Sequence, residues 1–77
     1  MEQDAGPEAD ARQSADRLAL ALEDVGFDVG RAFPLLRVGQ DRAGVPVVDL
    51  GRVSPSVASQ LSTVLSQAAQ YGIGLPD

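Results

Sequence analysis

Apolar positions along this chain fall into two helical stripes separated by a β-patterned centre. Ala15, Leu18, Ala19, Leu22 and Val25 recur three and four residues apart, and Val57, Leu61, Val64, Leu65 and Ala68 do so again. That spacing puts each set on one face, which predicts α-helices over roughly 11–25 and 55–71. Local end signals agree. Asp10 and Gln13 have the spacing of a capping box, in which a side-chain oxygen and an amide satisfy unpaired N–H groups of a first turn. At the second start Ser54 is a natural N-cap. Pro55 is a natural first helical residue, because its ring presets φ and its missing N–H costs nothing there. Gly26 and Gly72 suit the left-handed position past each helix, with Phe27 folding back onto Leu22 and Ile73 placed to contact Ala68. Leu20 stands off the first stripe, as a half-exposed leucine or as part of a second contact face.

Between the helices the period changes. Residues 28–34 form a connector in which Pro34 pushes Phe33 towards an extended conformation. Leu35-Leu36-Arg37-Val38 reads as a short strand, Gly39 to Gly44 as a hairpin loop, and Val45 to Leu50 as the β-branched return strand. Pro46 sits near the start of that strand, where a missing donor is tolerable at an edge. In one register Arg37 and Asp49 stand opposite each other, and the loop length leaves other registers open. The order predicts an α+β fold, helix–β-hairpin–helix (αββα), with two helices packed on a short antiparallel hairpin. It would occupy 10–73 as a single domain, after a disordered tail at 1–9 and before a flexible tail at 74–77.

Composition narrows the chemistry. The chain has 77 residues and can hold one domain with a small core. There is no apolar run of the length of about 20 residues that a membrane helix needs. The acidic N-terminus lacks the basic and then apolar stretches of a secretory signal. Cysteine is absent, which excludes disulfides and thiolate chemistry and makes the cytoplasm the expected location. Histidine and lysine are absent too, so the usual imidazole base, imidazole metal ligand and Schiff-base amine are missing. The serines have no base to activate them. Gly39 to Gly44 lacks phosphate-loop spacing, and Asp41 alone cannot hold calcium. No enzyme activity, metal or cofactor is expected.

Charge is unevenly placed. Residues 1–24 carry seven acids and two arginines, whereas residues 25–53 carry three acids and four arginines. The net charge of −5 and a pI near 4.3 disfavour binding to nucleic acid, which needs several phosphate-neutralising cations. The central arginines include Arg37, Arg42 and Arg52. They can converge as an anion or acidic-partner site on the hairpin face, or simply pair with Asp28, Asp41 and Asp49.

From Ser54 to Pro76 there is no charge at all, although the second helix has a polar face that includes Gln60, Ser62, Thr63 and Gln67. One explanation is a solvent face coloured with Ser, Thr and Gln. The other is a helix packed on a helix, where Ser permits close approach and no charge must be desolvated. Two physical points favour the second. A lone hairpin is marginal in water, and a domain this small without disulfide or metal has self-association as its remaining staple. Pairing two hairpins would also hide an edge strand. A homodimer is expected.

The segment Leu50-Gly-Arg-Val-Ser-Pro-Ser-Val-Ala-Ser-Gln-Leu61, with Gly26-Phe-Asp-Val29 and Leu36-Arg37 before it, resembles small actinobacterial proteins of unknown function. These share a Leu-Gly-Arg-Val-x-Pro-x-x-Ala-x-x-Leu stretch after a short hairpin. The resemblance covers residues 15–68 and implies a bacterial, intracellular protein. It brings no activity, ligand or catalytic residue. The sequence therefore points to a non-enzymatic interaction module, an adaptor or regulator acting on a protein partner, with an arginine-based nucleic-acid or anion-binding regulator as the alternative.

Overall fold

The structure, a computed structural model, describes residues 6–76. Its elements run α1 (Gly6–Asp24), a four-residue helix α2 (Val29–Ala32), β1 (Arg37–Gln40), β2 (Pro46–Asp49) and α3 (Pro55–Gln70). This is an α+β chain of helix–hairpin–helix order, with one extra helical turn inside the predicted connector.

Helix α1 begins well before Asp10. Pro7 fits a first helical turn, Glu8 lies beside its positive end, and the added length buries Ala11 as well as Ala15 and Leu22. Asp10 is consequently an exposed position inside the helix rather than its cap, and residues 6–9 of the expected tail are helical. Residues 1–5 of that tail lie outside the described residues. The C-terminal end forms as predicted. Gly26 has φ +112, its N–H donates to Glu23 O at 3.0 Å, and the Phe27 N–H donates to Leu22 O at 3.0 Å. These are the two bonds of a Schellman ending. Val25, predicted on the apolar stripe, is exposed because the chain has already left the packed turn.

Phe27 and Phe33 meet edge to face, with ring centroids 5.4 Å apart and planes at 85°. Helix α2 brings them together, and Phe33 is one of only four buried side chains among the described residues.

Strand β1 starts two residues later than predicted. The Leu36 N–H donates to Phe33 O at 3.1 Å, so the chain is still turning there. The loop then fixes the register. Asp41 Oδ1 accepts from the N–H groups of Ala43 and Val45, both at 2.9 Å, while the Asp41 N–H donates to Val45 O. Gly44 completes the turn at φ +82 and donates to Asp41 O. Once Asp41 and Val45 face each other, every further pair follows, ending with Arg37 opposite Asp49. Helix α1 covers the hairpin, packing more on β2 than on β1, whereas α3 runs along no other element closely.

Candidate interaction surface

Helix α3 is locally well determined. Ser54 Oγ accepts from the Val57 N–H at 3.1 Å, and Pro55 opens the first turn. At the far end Gly72 has φ +76, its N–H donates to Ala69 O, and the Ile73 N–H donates to Ala68 O at 2.9 Å. This is a second Schellman ending, again as the sequence predicts. Yet no side chain on α3 is buried. A helix with sound caps and an apolar stripe has formed; its own chain half-buries Val57, Leu61, Val64 and Ala68 and leaves Leu65 exposed.

The helix carries two stripes. Val57, Leu61, Val64 and Ala68 are half-buried and mark the side nearer the rest of the chain. Gln60 and Val64 there face Val25, Gly26 and Phe27 across a cleft of about 140 Å³. The second stripe lies about 110° further round, at 100° per residue. Ala58, Ser62, Leu65, Ser66 and Ala69, with Leu61 at the boundary and Val53 from the preceding corner, line a shallow groove of about 480 Å³. Leu65 is 60% exposed in it. Small side chains from Ala58, Ser62, Ser66 and Ala69 lie beside the exposed Leu65, a pattern that admits another helix closely.

Electrostatics set α3 as a whole apart from the rest of the chain. The first turn of α3 has no acid and the last turn no base, so no side-chain charge offsets its dipole. Any partner meets peptide dipoles, hydroxyls and carbon.

Of the predicted α3 positions, only Ser62 lies in this groove. Gln60 lies at the cleft facing residues 25–27. Thr63 is exposed and donates from Oγ1 to Ser59 O at 3.2 Å, and Gln67 is exposed on the remaining side. Leu65, read from the sequence as part of the apolar stripe, instead stands exposed in this groove, and Ala58, Ser66 and Ala69 escaped the sequence reading. Their signal was present as two i, i+4 rows, Leu61-Leu65-Ala69 and Ala58-Ser62-Ser66, running side by side.

Arg37 and Arg42 stand towards opposite ends of the hairpin. Arg37 stands opposite Asp49, with Nε 4.0 Å from Oδ2, and both are well exposed. Asp49 Oδ1 also accepts from the Gly51 N–H at 2.9 Å, which holds the carboxylate in place. Arg42 is in the turn at the other end of the hairpin, and Arg52 follows the corner after β2. Among the described residues no three acidic side chains are grouped to hold a metal ion, and no helix is long and apolar enough to cross a membrane. Compared with protein-family models, curated proteins and solved structures, the chain finds no match.

Proposed function

We propose that this chain is a small non-enzymatic protein–protein interaction module, an adaptor or regulator of the cytoplasm, that self-associates through α3. The observation that carries the reading is a capped, charge-free helix with no buried side chain and a leucine standing in its outer groove. Uncharged polar and small apolar positions cost little to desolvate, so such a face suits contact with protein. The edges of the two-stranded hairpin are a secondary contact surface, with unpaired backbone groups on both sides. The arginine-based reading has less behind it, since Arg37 stands opposite an acid, Asp49, and Arg42 is at the other end of the hairpin.

Leu65→Glu tests the reading. A whole leucine is worth about 1.5–3 kcal/mol on burial, so covering the 60% left exposed contributes about 1–2 kcal/mol per copy. A pair loses about 2–4 kcal/mol, roughly 30- to 900-fold in Kd, before the cost of burying a carboxylate. Sedimentation equilibrium should show that loss for Leu65→Glu, while Gln67→Glu associates as the parent does. Equal association of all three proteins would remove α3 as the contact surface.

A further inference from the structure

We infer that the occupant of the α3 groove is a second copy of this chain, with the two α3 helices antiparallel across a two-fold axis at Ser62. This rests on the self-association reading above and gives it a geometry.

Area supports a second copy. The accessible surface is 6058 Å². Residues 1–5 and 77 can supply at most about 1,000 Å² of it, even at the full allowance of an extended chain, and a compact monomer of the remaining mass would expose about 4,150 Å². Roughly 900 Å² is left over, close to the 800 Å² or so that each partner gives to an interface of standard size. Charge selects the face. Two copies of a chain with net charge −5 repel, and the region from Ser54 to Pro76 is where they can meet without opposing like charges.

The dipole selects the direction. With no acid in the first turn and no base in the last, an antiparallel partner places its negative end beside each positive end. A parallel pair would set like ends together. Shape then selects the register. A two-fold contact brings one patch onto itself, so the residue on the axis faces its own copy. Ser62 lies at the middle of Pro55–Gln70 and in the groove, and its hydroxyl makes no hydrogen bond within the described residues. With Ser62 on the axis, Ala58 faces the second copy's Ser66. Leu65 then settles over the second copy's Ala58 and Ser62, where the side chains are small.

Because the chain has no cysteine, single thiols report this arrangement directly. Facing Cα atoms of helices packed at 8–10 Å are about 3.5–5.5 Å apart, which overlaps disulfide reach. Ala58 lies four residues from the axis, so its own copy is about 12 Å away along the helices, out of reach. Under mild oxidation Ser62→Cys should therefore cross-link nearly completely to a covalent dimer. Ala58→Cys and Ser66→Cys should each stay uncross-linked alone and join when mixed.

Self-cross-linking of Ala58→Cys would mean a parallel pair or an axis displaced from Ser62, and either overturns the inference. A wild-type dimer by light scattering whose Ser62→Cys form does not cross-link would also overturn it, placing the contact elsewhere, as at a hairpin edge, with self-association intact. A wild-type monomer at every concentration would end both readings.

Discussion

Gly51→Ala should be among the most damaging single-methyl additions to this chain. Gly51 turns the corner from β2 towards α3 at φ +70, with its N–H held by Asp49 Oδ1. A Cβ built there would lie 2.4 Å from Leu35 Cβ and 3.2 and 3.3 Å from the Cα and C of Leu35. The left-handed backbone alone costs an alanine about 1–2 kcal/mol. Forcing Leu35 aside adds about 1–3 kcal/mol, because two of the three nearest atoms are backbone and cannot rotate away. The expected loss of roughly 2–5 kcal/mol compares with a total stability of about 4–12 kcal/mol for a domain of this length. Gly44→Ala is the internal control. It has φ +82 but nothing within 4 Å of the added methyl, so it carries the backbone cost alone. Urea unfolding followed by far-UV circular dichroism, at one fixed protein concentration, reads the difference between the variants. If Gly51→Ala and Gly44→Ala shift the midpoint equally, Leu35 yields freely, and the close approach does not fix how β2 leads into α3.

Ser54→Ala removes the oxygen that accepts the Val57 N–H and should cost about 1 kcal/mol, with faster amide exchange in the first turn of α3. Phe33→Leu loses the edge-to-face contact with Phe27 and part of a buried side chain, and the thermal midpoint should fall by the equivalent of about 1–2 kcal/mol. Arg37→Ala, by contrast, should change stability by less than about 1 kcal/mol, since both partners of that pair face water. Asp49→Ala should cost more than Arg37→Ala, because the Gly51 N–H loses its acceptor as well; chemical denaturation of the two variants side by side checks the order.

What the sequence made legible was local. Ser54-Pro55 and the glycines at 26 and 72 specify helix ends through bonds within a few residues, and those ends form where expected. The α1 start was missed because Asp10 looks like a cap in isolation. What extends the helix past it is Pro7 in the first turn and the burial of Ala11, a tertiary gain invisible to local pattern. The hairpin register depended on Asp41 accepting two backbone N–H groups, a choice that composition does not dictate. Periodicity found the apolar stripe of α3. It could not say whether that stripe faces its own chain or another, because both give the same spacing. The absence of charge over Ser54 to Pro76 was the clue to the second possibility, and the unburied side chains of α3 agree with it.

The measurement that tests self-association through α3 most directly is the solution mass of the unmodified chain by light scattering over a hundredfold dilution. A mass near twice the 8.0 kDa of one chain, falling towards 8.0 kDa only at the dilute end, is the predicted result. A folded protein that stays at 8.0 kDa throughout would contradict it.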